Sequence, residues 1–171
     1  MADNRDNDPQ SEKLPLSKSA LYILEESRMV LPGIQALFGF QLIAVFNDGF
    51  DKKLGPGDQK WHLLAIALVV LSAGLIMTPA AYHRQTSPRE VTEAFIRIAT
   101  RFLLCGMLPL AMGVSIDFYL IAKIILHDAF SLPLALALFA ILTALWFALP
   151  RLWPPQRLRA VGEGGRRPAA P

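Results

Sequence analysis

The chain has 171 residues, of which 53% are hydrophobic and only 18% charged, with a net charge of +3. Its Leu, Ala and Phe pile into long blocks between polar segments, which excludes an ordinary soluble domain and points to a membrane protein. The arginines are scattered, so the positive balance suggests orientation in a membrane and no nucleic acid partner.

The start, "MADNRDNDPQSEKLPLSK", is polar and acidic and has no basic region leading into an apolar core. It is read as a disordered tail over residues 1–18 and not as a cleavable leader. "SALYILEESR" follows as an amphipathic piece expected to lie in the membrane interface. The first span is "MVLPGIQALFGFQLIAVF", about residues 29–47, flanked by Arg28 and by Asn47 with Asp48. The loop "NDGFDKKLGPGD" is rich in Asp but lacks calcium-loop spacing and reads as a turn-rich connection.

A second span occupies about residues 61–83, between a Trp61 anchor and Tyr82, His83 and Arg84. "SPRE", Ser87 to Glu90, then forms a capping box. An amphipathic helix over about 88–101 is predicted to run from it into the third span, with Glu93, Arg97 and Arg101 paired along one face. The third span covers about 102–123. The fourth, "LPLALALFAILTALWFALP", covers about 132–150, with Pro133 in its first turn and Pro150 at its end. Thr143 is the one polar side chain between Leu132 and Leu149, so this helix reads as a lipid-facing wall. Residues 154–171 form a second disordered tail, leaving 19–153 as the bundle.

Thirteen Lys and Arg lie in the two tails and the central connection, against four in the two opposite connections. By the positive-inside rule both termini are expected to be cytoplasmic, and four spans agree with termini on one side.

Asp117 is the one acid within the apolar run "MGVSIDFYLIAKIIL". It lies six residues from Lys123, about 9 Å below the boundary. On a helical wheel it shares a face with Gly106, Pro109, Gly113 and Leu120. The glycines permit close helix approach, so Asp117 is expected to face protein and not lipid. In the first span Gln41 lies at matching depth, on the border of a small-residue face of Gly33, Ala36 and Ala44. Gln41 is therefore the expected partner of Asp117, with Lys52, Lys60 and His62 also within reach if they fold inward. Cys105 is read as a small buried packing residue.

Pro32, Pro79 and Pro109 cluster in the cytoplasmic half. Glu25, Arg28, Tyr82, His83, Arg84 and Arg101 are candidates for a polar belt at that boundary, where interfacial anchoring accounts for most such residues. His127 and Asp128 form a weak metal signal. Glycine-rich phosphate loops, cysteine pairs and nucleophile elbows are absent from the sequence, so no cofactor, metal site or enzymatic activity is expected.

The runs "EESRMVLPGIQALFGFQLIAVFNDGF", "MTPAAYHR" and "RFLLCGMLPLAMGVSIDFYLIAKI" resemble a family of small bacterial membrane proteins known only as a domain of unknown function. Its specific parts are Glu25 and Arg28, the run Leu31, Pro32, Gly33 and Gln35, and Pro79 to Arg84. The resemblance implies a four-helix protein of the bacterial inner membrane and no established activity. The leading reading is an all-α, four-span scaffold, accessory or stress-related subunit in the lipid bilayer, forming a homodimer through its glycine faces. The competing reading is a small proton- or cation-coupled carrier of the sodium/proton antiporter kind, using Asp117.

Overall fold

The computed structural model describes residues 15–86, 91–126 and 130–152, and these form an all-helical bundle. Helix α1 is Leu16–Val45, α2 is the short Phe50–Lys53, α3 is Pro56–Thr86 and α4 is Glu93–Leu126. The last helix comprises α5, Ser131–Thr143, a π turn over Ala144–Ala148, and α6, Leu149–Leu152. Four helices are long and apolar enough to cross a membrane: Leu16–Val45, Pro56–Gln85, Glu93–Leu126 and Ser131–Leu152. Large side chains such as Phe40, Ile43, Leu63, Ile125 and Leu136 are exposed along them, as a lipid solvent allows.

The interfacial segment is not separate from the first span. Residues 16–45 form one helix of about 45 Å, because nothing between Ser19 and Arg28 breaks the helix and Pro32 loses only one backbone bond. Leu16 to Lys18, expected in the tail, make its first turn. Helix α4 starts at Glu93 and not at Pro88. Thr92 caps it, its Oγ1 accepting the Phe95 N–H at 3.2 Å. Val91 and Ile96 pack against the same Ala20, Phe95 and Ala99 cluster, which fixes the chain's entry as a hydrophobic staple does. The Ser87–Glu90 box, the His127–Asp128 pair, residues 1–14 and residues 153–171 lie outside the described residues.

Helix α4 sits at the centre, touching α1, α3 and α5. Its closest neighbour is α3, and the two run antiparallel: Gly106 meets Ser72 and Ile76, Gly113 meets Ala65 and Val69, and Lys123 meets Asp58. Buried positions recur every seven residues on both helices: Gly106, Gly113 and Leu120 on one, Ile76, Val69 and His62 on the other. That spacing keeps one side of a helix turned to its partner over its whole length. Ser72 Oγ donates to the Gly106 carbonyl at 2.7 Å, a bond that the missing Cβ of Gly106 permits.

The small-residue face expected on α1 is not its packing face. Gly33, Ala36 and Ala44 are exposed, and a Cβ on Gly33 would meet nothing within 4 Å. Helix α1 instead docks through Ala20, Ser27, Ile34 and Gln41, again seven residues apart. Ile34 joins Val69 and Ile76 in the core, and this larger contact sets the helix's rotation. Cys105 is likewise exposed, because Gly106 and Pro109 hold the inward face of α4 and leave position 105 turned away.

In the last helix the π turn precedes Pro150, whose ring would clash with the carbonyl four residues back in a regular helix. The helix thus continues through Pro150 instead of ending there, and Arg151 donates to the Phe147 carbonyl at 3.0 Å. Lys123 Nζ reaches both carboxylate oxygens of Asp58 at 3.1 and 3.2 Å, joining the last turn of α4 to the first of α3. Each charge suits the helix end it occupies. The pair is partly exposed, so Asp58→Asn is expected to lower thermal stability in detergent by no more than about 1 kcal/mol, and less at high salt.

Candidate functional site

Near the α2 end of the bundle three helices each contribute one polar side chain. Gln41 comes from the α1 seam, His62 from the α3 seam, and Asp117 from α4 one turn beyond Gly113. Gln41 Nε2 donates to Asp117 Oδ2 at 2.5 Å. His62 Nδ1 lies 3.0 Å from Asp117 Oδ1, and His62 Nε2 donates to the backbone carbonyl of Gln41 at 3.1 Å. The side chains of His62 and Asp117 are 9% and 16% exposed, so the contact is sheltered from solvent. Phe50 of α2 covers the imidazole, their rings 5.5 Å apart. Gln59 ties that cover down, donating to the Leu54 carbonyl at 3.0 Å and to Asp51 Oδ1 at 3.2 Å.

The partners determine the proton count. A backbone carbonyl only accepts, so His62 Nε2 carries a hydrogen. Nδ1 and Oδ1 then share one further proton, as imidazolium with carboxylate or as imidazole with carboxylic acid. Both forms are neutral overall. Removing the shared proton leaves two acceptors facing each other and breaks the Nδ1 to Oδ1 bond, whereas a second proton taken on Oδ2 leaves that bond in place and weakens the one from Gln41. Loss of the shared proton is thereby tied to the contact between α3 and α4.

A cavity of about 390 Å³ adjoins these residues between α1, α4 and the α2 loop. Gln41, His62 and Asp117 form part of its wall, and Leu37, Phe40, Leu54, Leu120 and Ile124 supply apolar surface. Gln41 Oε1 is buried and finds no hydrogen-bond partner among the described residues.

The structure thus brings Gln41 and Asp117 together, and joins His62 to them, a residue for which the sequence makes a weaker case than for Gln41. His62 stands beside the exposed Trp61 anchor and resembles an interfacial residue. Its seven- and fourteen-residue spacing from Val69 and Ile76 is the signal that would have turned it inward. Lys52 and Lys60 do not fold inward toward Asp117; both are exposed. Of the boundary residues, Tyr82 and His83 flank Phe95, with ring separations of 6.4 and 5.1 Å. Glu25, Arg28, Arg84 and Arg101 are exposed and make no ion pair among the described residues. They form no common cluster. Glu93 and Arg97 are exposed and equally unpaired, since ordering such side chains in a polar boundary gains little. Among the described residues no three His, Cys, Asp or Glu side chains are placed to hold a metal ion.

The residues of this polar cluster and the helices that carry them fall within one family model, which matches residues 11–150. The chain belongs to DUF6328, a family of unknown function. No curated protein and no solved structure matches it. The DUF6328 match covers all of α1 to α5 and reaches Pro150 beyond the π turn, so bundle and polar cluster are family territory.

Proposed function

We propose that this DUF6328 protein is a small proton-coupled carrier, with the His62–Asp117 pair as the group that takes up and releases the proton. The observation that carries this reading is the 3.0 Å contact of His62 Nδ1 with Asp117 Oδ1 beside a cavity. Buried ionisable groups in spanning helices commonly serve proton or ion pathways. Here loss of the shared proton also breaks a contact between two helices, which is the coupling a carrier needs. The excess of Lys and Arg in the tails and the central connection supports a bacterial cytoplasmic membrane location with both termini inside.

The test is proton flux into proteoliposomes under an imposed pH gradient, comparing native protein with Asp117→Asn at matched insertion. The expected result is native flux above that of empty vesicles and background flux for Asp117→Asn. Native flux no greater than that of empty vesicles overturns the carrier reading. A second reading, a non-enzymatic scaffold or accessory subunit, draws on the fact that the cluster joins α1, α3 and α4 at one point. There the same bonds act as a clasp that fixes helix packing.

A further inference from the structure

We infer that the cavity between α1, α4 and the α2 loop binds a single-chain anionic amphiphile of the fatty-acid kind, its carboxylate held by Lys53 and Asn47 and its chain lying between α1 and α4. The cavity's volume, about 390 Å³, lies in the range of small-molecule pockets. Along α1 the lining runs from Leu37 to Asn47, about 15 Å and half the hydrocarbon thickness of a bilayer. That is the reach of one acyl chain in one leaflet.

The head group follows from the polar groups that a ligand can reach. Asn47 and Lys53 both line the cavity and are exposed. Asn47 Oδ1 accepts the Gly49 N–H at 3.1 Å, so the amide's other atom, the Nδ2 donor, is turned away from that bond and open. Lys53 Nζ only donates and has no partner among the described residues. The mouth therefore offers donors, one of them cationic, and an acceptor carrying negative charge satisfies both. Asp48 and Asp51 do not line the cavity, and Asp51 is engaged by Gln59.

His62 and Asp117 stand at the sheltered end of the lining, 9% and 16% exposed. The charge of the head group is thus set by Lys53 and Asn47, and not by the proton held between His62 and Asp117. Phe40, Ile121 and Ile124 line the cavity and are exposed on the spanning helices, so the chain enters laterally, from the hydrocarbon. An amphiphile dissolved in the bilayer already carries its head at the boundary and its body among the lipid tails. This inference goes beyond the carrier reading and holds whether or not protons cross the membrane.

The test uses three probes with one chain: dodecanoate, dodecanol and dodecyltrimethylammonium. Binding to the full chain in nanodiscs of zwitterionic lipid is measured without any gradient, at a mildly alkaline pH that keeps the carboxylate ionised, and is corrected for partition into empty nanodiscs. The expected result is saturable binding of dodecanoate about fivefold tighter than of dodecanol, the gain an exposed ion pair supplies, with the ammonium weakest. Lys53→Met removes that preference, because it keeps the apolar stem and loses the charge, and Lys53→Arg retains it. Lys52→Met, which loses the same charge from an exposed neighbour outside the lining, leaves the preference unchanged. Ala44→Trp, at a cavity-lining position, blocks all three probes. Equal binding of dodecanoate and dodecanol, tighter binding of the ammonium, or no binding beyond partition overturns the inference. So does a preference that survives in Lys53→Met or falls equally in Lys52→Met, or binding unchanged in Ala44→Trp.

Discussion

A valine in place of Gly106 is expected to cost the folded bundle about 3 kcal/mol or more, enough to leave little monodisperse protein after detergent extraction. Its Cβ alone would stand 2.8 Å from Ile76 Cγ1 and 3.3 Å from the Ser72 carbonyl oxygen. Ile76 is 2% exposed in the core cluster with Ile34 and Val69, and Ser72 O is backbone, so neither neighbour yields readily. Separating the helices enough to fit the new carbons would also pull Ser72 Oγ from the Gly106 carbonyl. Gly33→Val is the matched control. It adds the same atoms where a Cβ meets nothing within 4 Å, so monomer stability should move by less than about 0.5 kcal/mol. The comparison is read by thermal melting in one detergent. Equal losses for the two variants would show that the α3–α4 approach is looser than these distances imply. A Gly33→Val protein that melts normally but changes its oligomeric state would place a second copy against α1.

The second large effect is at Asp117. Asp117→Leu leaves His62 Nδ1 and Gln41 Nε2 without the oxygens they address, in a site sheltered from solvent. The expected loss is about 3 kcal/mol. Removing His62 as well, as His62→Leu, should return part of it, because the remaining ring is then no longer stranded. A double-mutant cycle on the two positions is expected to show a coupling of about 2 kcal/mol. Interhelical hydrogen bonds between neutral groups in bilayers average well under that, about 0.6 kcal/mol. The size of the coupling therefore reports where the shared proton sits: a large value indicates imidazolium with carboxylate, and a value near the bilayer average indicates imidazole with carboxylic acid. A coupling indistinguishable from zero would contradict the contact altogether.

Much of the fold was legible because a bilayer imposes one strong rule, that a spanning segment be long, apolar and internally bonded. The four apolar runs meet that rule directly, and the wheel of α4 places Gly106, Pro109 and Gly113 inward as observed. The same wheel failed on α1. Gly33, Ala36 and Ala44 satisfy the small-residue pattern, yet which face packs depends on what the neighbour offers, and Val69 and Ile76 offer a socket for Ile34. Depth matched Gln41 to Asp117, since residues at equal distance from a boundary meet if their faces do. His62 is harder to place from sequence because, at a helix end, interface and interior favour similar residue types. The boundary belt failed for a different reason. Snorkelling side chains reach headgroups from any rotation, so their sequence neighbourhood carries no information about mutual contact.

The bond from His62 Nε2 goes to the main chain of residue 41 and not to its side chain. Any residue at that position presents the same carbonyl, so the register of α1 against α3 tolerates substitution there. Positions 62 and 117 have no such freedom, because their contact is made between the two side chains. An alignment of DUF6328 chains should accordingly show 62 and 117 changing together, with 41 limited to side chains that can still donate to residue 117.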